Sequence, residues 1–530
     1  KFADMGDPVS DPEEYMRRGE FTWGTSKMFS ILGDINLRYG QSFGKHSLYA
    51  VMGVNVSQTT NETRTVRAEG FPSQNMVDIS FAKQYYKDSR PTSTYNINRL
   101  AGVLLTANYA YDSKYLLDAS LKYDGSSQFG ANQRFAPVWS VGAGWNIHKE
   151  SFLEGSIFSQ LKLRGSYGVT ASQNFSPYQA IRKYQYNIEH QYAGIIPTYM
   201  MGLGNDDLRW QQTKVLNGGT DIGLFNDRLS VSFDIYRRRT TNLLASVTIA
   251  PSLGFPSYTE NIGETENNGY EFSFRYMFLR DISKRLYWSV NFSGNHNSNK
   301  ITKISNAMKK RNEDIIEKAY KEGSTAPLLL YEEGNSVTSI YAVRSLGIDP
   351  SNGKEMYLTK NGVKTYTWNS ADQVCVGDTR PTMEGVFGTS LNWGDFSFSA
   401  NFRYSFGGQV YNSTLADRVE NANLYQNADR RVYEERWRKP GDVTMFKDVK
   451  DTSRTRQTSR FVQDNDYISC ESISLGYDIT SPKVLNFIGA ERLRVTGYLN
   501  DICRWSTVKQ ERGLDYPFAR RYAFSLNVSF

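Results

Sequence analysis

Hydrophobic and polar residues alternate with a period of two along most of the chain. In the last ten residues, RYAFSLNVSF, the residues between the apolar positions are small or polar, and the apolar positions are Tyr522, Phe524, Leu526, Val528 and Phe530. Successive side chains of a strand point to opposite faces of a sheet, so this pattern predicts a strand with one apolar face. The chain stops on the last apolar residue of that strand.

The same alternation recurs in many segments, for example RLSVSFDIYRRR (228–239), RLYWSVNFSGNHN (285–297) and GDFSFSANFRYSFGG (394–408). We count about fifteen to seventeen such strands, with 334–360 ambiguous. Helical periodicity is nearly absent, and the one candidate, 304–323, is predicted to be a helix inside a loop. The pattern therefore predicts an all-β protein.

The predicted connections between strands fall into two kinds that largely take turns along the chain. Short polar turns are predicted at 40–46, 112–114, 226–228, 281–284 and 392–395, and long loops at 59–96, 172–211, 246–261, 301–333 and 412–463. Short turns at one rim and long loops at the other are typical of an outer-membrane β-barrel. In a soluble sandwich or propeller, nothing requires the short turns and the long loops to lie at opposite ends of the strands.

The composition agrees with strands that have one apolar face and one polar face. Aromatic residues make up 14% of the chain, with 35 Tyr and 29 Phe, yet the mean hydropathy is −0.54. No run of about 18 apolar residues is present, so no membrane-spanning helix is predicted. We therefore predict a transmembrane antiparallel β-barrel with a polar lumen.

Charge and potential metal ligands exclude several functions. The net charge of +7 accompanies 55 acidic residues without a dense basic stripe, so no nucleic-acid partner is predicted. Cys375, Cys470 and Cys503 fit neither a zinc site nor a disulfide framework by their spacing. The four histidines are not at ligand spacing. We expect no metal, no cofactor, no catalytic residues and no enzymatic activity.

The direction of the strands predicts that the two ends of the chain lie at opposite rims. The last strand runs towards the short-turn rim, and so does the first confident strand, 29–40. A single-chain barrel has an even number of strands and both ends on one side. We therefore expect residues 1–530 to be the C-terminal portion of a larger barrel, unless a further strand lies near 73–86. The first residues have no apolar core and are not a signal peptide.

Four stretches, 111–153, 161–173, 205–244 and 261–274, carry a resemblance to a known family. They contain a Tyr-Leu-Leu strand, the loop DGSSQFG (124–130), a Gly-Trp strand and then KLRGSYG (162–168). In this order they resemble the barrel of the SusC/RagA family, the TonB-linked outer-membrane transporters of Bacteroidetes. The resemblance covers nearly the whole chain.

The resemblance implies a location in the outer membrane of a Bacteroidetes-like Gram-negative bacterium and import of oligosaccharides or peptides. It implies a SusD-like surface lipoprotein as a lid, and energy from TonB acting through an N-terminal part with a plug, which this sequence lacks. The family barrel has roughly 22 strands, so several would be missing. The terminal strand is similar to the signal that the barrel-assembly machinery recognises, and the apolar faces would contact membrane lipid.

Aromatic residues in the predicted loops are the candidate substrate contacts, because sugars stack on exposed rings. They are Tyr192, Tyr199, Tyr366, Trp368 and Tyr425. The alternative is that these rings pack against their own loops. Trp139 and Trp145, near opposite ends of one strand, are interpreted as anchors at the two membrane interfaces rather than as sugar platforms.

Two other functions stay open at this point. A siderophore or cobalamin receptor would suit the same wide polar lumen. A soluble β-propeller or sandwich that binds or hydrolyses carbohydrate is a third possibility, although it leaves the loop sorting and the terminal aromatic residue unexplained.

Overall fold

A computed structural model describes residues 17, 19–73, 75–76, 78–87, 89–130, 132–172, 180–186, 193–248, 257–322, 325–509 and 520–530. Its architecture is dominated by one large antiparallel sheet, whose strands are β1 (Glu20–Phe43), β2 (His46–Glu69), β3 (Thr92–Tyr111), β4 (Tyr115–Ser126), β5 (Phe135–Asn146), β6 (Phe158–Ser172), β7 (Gln211–Leu224), β8 (Leu229–Thr248), β9 (Ser257–Asp281), β10 (Leu286–Ile304), β11 (Met383–Trp393), β12 (Phe396–Phe406), β13 (Tyr467–Ile479), β14 (Arg492–Ser506) and β15 (Arg521–Ser529).

Each strand of this sheet pairs with the next one along the chain, from β1 to β15. Among the described residues, β1 and β15 are the two edges and do not pair with each other. The fifteen-strand path confirms the predicted number. One continuous meander has no blades and no second layer, so the soluble propeller or sandwich is wrong.

The register explains why the sequence alternates. Direct cross-strand partners form an apolar row of Ile35, Val54, Val103 and Tyr123. One residue along, the partners form a polar row of Asp34, Asn55, Gly102 and Asp124. Because the side-chain period of a strand is two, each row lies wholly on one face of the sheet. The sheet therefore has an apolar face and a polar face.

The connections between strands are sorted between two rims as predicted. The short-turn rim holds 44–45, 112–114, 147–157, 225–228, 282–285, 394–395 and 480–491. The opposite rim, called the loop rim, holds 70–91, 127–134, 173–210, 249–256, 305–382, 407–466 and 507–520. The loop rim has the five longest connections, and the odd number of strands puts the start of β1 and the end of β15 at opposite rims.

Two predicted loops, 59–96 and 246–261, are too long. Strand β2 continues to Glu69 and β3 begins at Thr92, while β8 and β9 reach Thr248 and Ser257. The extra length of β2 reads TTNETRTVRAE, which is polar on both faces, so its sequence shows no alternation. Among its described residues, the segment near 73–86 contributes one two-residue strand, Gln84–Tyr85, which pairs with the end of β2 and does not cross the sheet.

Helices and short strands occur mainly in the connections. The predicted loop helix is confirmed as Asn306–Glu322, and further helices are Arg431–Glu434 and Pro482–Ile488. The ambiguous region 334–360 forms part of a four-stranded sheet of Ser339–Ile348, Glu355–Leu358, Lys364–Thr365 and Gln373–Asp378. Two small hairpins pair Lys183–Tyr186 with Thr198–Gly202 and Gln409–Tyr411 with Val462–Asp464. Single helical turns are Ile79–Phe81, Ile147–Lys149, Ser151–Leu153, Ser370–Asp372, Leu415–Glu420 and Ser459–Phe461.

None of the helices in the described part of the chain is long and apolar enough to cross a membrane.

Aromatic side chains cover the glycine positions on the apolar face of the sheet. The hydroxyl end of Tyr404 lies against two glycines, Gly294 and Gly385, and donates to the Ser293 carbonyl oxygen at 3.1 Å. The Tyr404 ring also stacks on Phe292 with the ring centroids 5.5 Å apart. Tyr404 is consequently only 4% exposed on a face where most large residues are open. Glycines in a strand allow this close approach of a neighbouring ring.

The two tryptophans of β5 lie on the apolar face at different heights. Trp145, near the short-turn rim, stacks on Tyr115 at 6.3 Å. The Tyr115 hydroxyl and the Trp145 indole N–H donate to the Glu150 carboxylate at 2.8 and 3.1 Å. Trp139 stands six residues nearer the loop rim. Rings on the apolar face with polar tips directed to a rim are the arrangement expected of interfacial anchors.

Candidate functional site

Two long connections at the loop rim, 305–382 and 407–466, pack into one body, which we call the rim domain. A parallel bridge joins Val343 to Thr458, and the Trp437 indole N–H donates to the Pro350 carbonyl oxygen at 3.0 Å. The buried apolar core of the second connection comprises Leu415, Ala416, Val419, Val432, Phe446 and Phe461. Strands β10 to β13 therefore carry a folded unit rather than two separate loops.

A buried ion triad links the two connections. Arg460 contacts Glu355 at 2.8 Å and Glu420 at 2.5 Å, and the three side chains are 6%, 4% and 0% exposed. Glu355 also accepts hydrogen bonds from the hydroxyls of Ser345 and Thr458, both at 2.7 Å. Glu355 comes from the first connection and the other two charges from the second, so the triad fixes one connection against the other.

Burial and pairing act in opposite directions on the triad. Burial alone would raise the pKa of Glu355, but the charge and hydrogen bonds of Arg460 outweigh it and hold the pKa of that carboxyl below its ordinary value. The pKa of Arg460 is raised, because the hydrogen bonds and charges of Glu420 and Glu355 outweigh its desolvation. Glu355 and Arg460 therefore form a charged pair at neutral pH.

The rim domain contains two adjoining clefts. The first, the Trp368 cleft, has a volume of about 510 Å³, and its lining includes Tyr320, Lys354, Tyr366, Trp368, Arg454 and Arg456. The second, the Tyr425 cleft, has a volume of about 810 Å³, and its lining includes Arg418, Asn421, Leu424, Tyr425, Gln426 and Arg436. Asp451, Ser453 and Arg454 line both clefts. Together the clefts have room for a ligand of several sugar or amino-acid residues.

Three of the five predicted contact residues lie at these clefts. Trp368 is half-buried, and its indole N–H donates to the Gln457 carbonyl oxygen at 3.1 Å. The Tyr366 hydroxyl donates to Asp349 at 2.5 Å, while half of its surface stays exposed. Tyr425 is fully exposed. Trp368 and Tyr366 are thus held by a hydrogen bond at their polar ends, whereas the ring of Tyr425 is open to solvent.

The other two predicted residues are not part of this arrangement. Tyr199 lies in the hairpin formed by Lys183–Tyr186 and Thr198–Gly202, and it lines neither cleft. Tyr192 lies outside the described residues.

The cations of the Trp368 cleft are not among the residues predicted from the sequence. Arg454, Arg456 and Arg460 occur within RTRQTSR (454–460), which has no acidic residue. A basic segment without acidic residues indicates a candidate anion site. It does not show which arginines line the cleft and which one belongs to the buried triad. The partners of Arg460, 105 and 40 residues away along the chain, are visible only in the fold.

The polar face of the sheet carries charged side chains on β6 to β11. Arg164 contacts Asp221 at 3.1 Å and Asp234 at 2.5 Å. Asp234, Glu271, Asn295 and Glu384 are direct partners across four neighbouring strands and so share this face. The face is therefore a hydrophilic wall, consistent with the predicted water-filled lumen.

Comparison with known proteins gives a consistent result. The family model described as TonB dependent receptor-like, beta-barrel matches residues 7–327. The chain is 28% identical to TonB-dependent receptor P3 of Formosa agariphila, over 97% of this chain and 53% of the relative. It is 25% identical to TonB-dependent receptor SusC of Bacteroides thetaiotaomicron, over 86% of this chain and 44% of SusC. The chain spans about half the length of these relatives.

A solved structure shows the same fold. The RagAB peptide transporter superposes with a TM-score of 0.80 at 22% identity, covering 92% of this chain and 53% of the matched chain.

Proposed function

The chain belongs to the TonB-dependent receptor-like β-barrel family, and on that basis we propose that it forms barrel strands and substrate-binding loops of an outer-membrane nutrient importer. The predicted fold class, a transmembrane antiparallel β-barrel, is confirmed by the family match and by the fold shared with RagAB. The chain is accordingly an outer-membrane protein. Its cargo would be an oligosaccharide or a peptide. The solved relative RagAB is a peptide transporter, and oligosaccharides are what the resemblance to the SusC/RagA family implies.

The observation that carries this proposal is the rim domain on a membrane-crossing sheet. A binding site at the loop rim faces the outside of the cell when the short turns face the periplasm. The polar face below it offers a hydrophilic path. The family is one of transport receptors and not of enzymes. Import across the membrane breaks no bond, so we assign no catalytic residue, cofactor or metal.

Partners follow from the same proposal. A SusD-like lipoprotein would cover the loop rim as a lid, and TonB would act through parts of such transporters that this sequence does not include. The barrel-assembly machinery would recognise β15 by its apolar series, Tyr522, Phe524, Leu526, Val528 and Phe530. Four of these five side chains are more than half exposed on one face of an edge strand, so they are accessible for such recognition.

Substrate contacts are proposed at Tyr366, Trp368 and Tyr425, because the fold presents these three rings at adjoining clefts. Tyr192 and Tyr199 remain predictions from sequence.

The experiment is growth of a deletion strain and a complemented strain on a panel of oligosaccharides and peptides as sole carbon sources, with iron in excess. Loss of growth on one class of carbon source, restored by the complementing gene, supports the proposal. A strain that grows normally on every carbon source but starves when iron is limited would contradict it and support a siderophore receptor instead.

A further inference from the structure

The Trp368 cleft has an excess of positive charge that its own carboxylates do not balance. Its lining includes Lys354, Arg454 and Arg456, none of which forms an ion pair with a carboxylate of the described residues. The two carboxylates in the lining are already engaged. Glu355 belongs to the triad with Arg460, and Asp451 lies 3.5 Å from the Lys447 ammonium group.

The position of Arg456 adds a second observation. Its guanidinium carbon lies 5.4 Å from the ring centroid of Trp368. Its Nη1 atom is shielded from solvent and has no hydrogen-bond acceptor among the described residues. Shielded donors are normally satisfied, and a guanidinium group prefers carboxylate, sulfate or phosphate oxygens. The cleft thus holds a donor suited to an anionic group next to an aromatic ring.

The remaining lining favours a sugar over a peptide. Tyr366 and Trp368 supply rings on which the C–H face of a pyranose can stack, and the hydroxyls of Ser453 and Thr455 in the lining are already bonded to Asp451 and Glu420. A peptide held in this way would need apolar side-chain pockets or an unpaired strand edge, and the lining of this cleft is mainly polar and charged. Rings and unpaired cations together match a charged carbohydrate.

We propose that the Trp368 cleft binds an anionic oligosaccharide, with a carboxylate or sulfate group held by Lys354, Arg454 and Arg456 and a sugar ring on Trp368. This assignment rests on the proposed import function and names its substrate class. Carboxylate and sulfate offer the same kind of oxygen to a guanidinium group, so the two sources have to be separated by experiment.

The test is binding of the full-length protein, purified in detergent, to an oligosaccharide array. The array pairs uronate oligosaccharides with their methyl-esterified forms and sulfated oligosaccharides with their desulfated forms, and it includes neutral oligosaccharides and acidic peptides. Binding confined to one acidic series supports the proposal and identifies the anion. Equal binding to charged and neutral partners of a pair would overturn it while leaving oligosaccharide import intact.

Two further outcomes of the array would also overturn the assignment of an anionic oligosaccharide. Binding to acidic peptides alone would overturn the carbohydrate assignment and support a peptide cargo. An array without any binding would overturn this assignment, whereas the growth assay on carbon sources tests the proposed function separately.

Variants of the full-length protein locate the binding in the cleft. Arg454→Gln and Arg456→Gln should each weaken binding of the acidic probe about tenfold, because each removes a charge-assisted hydrogen bond. Arg430→Gln is the matched control, since Arg430 belongs to the same rim domain, is paired with Glu434 and lines neither cleft. Unchanged binding in both cleft variants would overturn the assignment.

The strand register independently brings two cysteines together. Cys470 of β13 and Cys503 of β14 are direct cross-strand partners, although 33 positions separate them in the sequence. The distance between opposed Cα atoms in an antiparallel pair is about 4.5–5.5 Å, within the range of about 4.4–6.8 Å that a disulfide requires. Outer-membrane proteins fold from an oxidising periplasm.

We infer that Cys470 and Cys503 form a disulfide during maturation. The two thiols release two protons, and two electrons pass to a periplasmic protein disulfide by thiol–disulfide exchange, which leaves the oxidant as a dithiol. The exchange takes place before the strands enter the membrane, because Cys470 is only 2% exposed once the sheet has formed.

Mass spectrometry of the full-length protein tests this inference. Alkylation in denaturant without a reductant should label Cys375, which is exposed in the rim domain, and should leave Cys470 and Cys503 joined in one cross-linked peptide. Reduction should release that peptide into two labelled parts. Full labelling of all three cysteines without a reductant would overturn the inference.

Discussion

Removal of the buried cation at Arg460 provides the sharpest test of how the rim domain is held together. The substitution Arg460→Met keeps an unbranched side chain of similar length but leaves Glu355 and Glu420 buried without their shared partner. Breaking a buried pair by removing one member costs about 3–5 kcal/mol. The other buried cations cannot replace it, because Arg436 is bound to carbonyl oxygens of residues 419 and 420 and Lys447 to Ser453.

The expected effect is local. The sheet does not contain the triad, so the rim domain should open more easily while the barrel strands stay protected. A loss of about 3–5 kcal/mol corresponds to amide hydrogen exchange that is faster by about two to nearly four orders of magnitude in rim-domain peptides. The assay is hydrogen–deuterium exchange with mass spectrometry on the full-length protein in detergent.

The pH dependence should reverse between the wild-type protein and the variant. In the wild type the folded pKa of Glu355 is depressed, so its stabilisation is present above the ordinary carboxyl pKa and is lost as pH falls through the folded value. In Arg460→Met, burial without the cation raises the folded pKa of the Glu355 carboxyl. Protonation of Glu355 then relieves the destabilisation, and protection of the variant should increase as the pH is lowered from 7 towards 5.

Arg430 provides a matched control, because it lies in the same rim domain but forms an exposed ion pair. Arg430→Met removes an exposed partner of Glu434 and should change rim-domain exchange little, because exposed ion pairs contribute about 0–1 kcal/mol. Equal exchange in wild type and Arg460→Met at pH 7, or loss of protection on acidification in both, would refute the reasoning that the triad supports the rim domain.

Three further substitutions test the sheet, the cleft and the terminal strand. Gly385→Ala places a methyl group against the Tyr404 hydroxyl and the backbone of the neighbouring strand, which should destabilise the barrel by about 1–3 kcal/mol, measured by denaturant titration. Trp368→Ala should weaken ligand binding about tenfold by removing the stacking surface, whereas Tyr433→Ala, an exposed ring outside both clefts, should leave calorimetric affinity unchanged. Phe530→Ala should lower the amount of folded barrel in the outer membrane, scored by heat-modifiable gel mobility, and normal assembly of this variant would contradict the proposed recognition of β15.

The sequence predicts those parts of the fold in which local pattern and environment coincide. Within the membrane-crossing part of each strand, one face meets an apolar and the other a polar environment, so the period of two is imposed directly on segments such as 394–408. Towards the loop rim, β2 carries polar residues at most positions of both faces. The segment Thr59–Glu69 is therefore a strand without alternation, and its boundary could not be predicted.

The candidate site was predicted only in part because its geometry depends on contacts between distant segments. Aromatic residues in long loops are a local signal, and Tyr366, Trp368 and Tyr425 were identified in this way. The pairing of Glu355 with Arg460, and of Cys470 with Cys503, depends on the packing of separate connections and on strand register. Spacing along the chain carries no information on either pair.

The buried triad also explains how two long connections can form a specific binding site. Flexible loops of this length would lose much conformational entropy on binding a ligand, and that loss would reduce the affinity. The triad and the apolar core around Phe446 and Phe461 fix the rim domain during folding instead. Because Glu355 is saturated by Arg460 and by hydroxyl donors, it adds little free negative charge to the cleft that it lines. The unpaired charges left there are those of Lys354, Arg454 and Arg456, and the same packing that orders the rim domain therefore determines its preference for an anionic ligand.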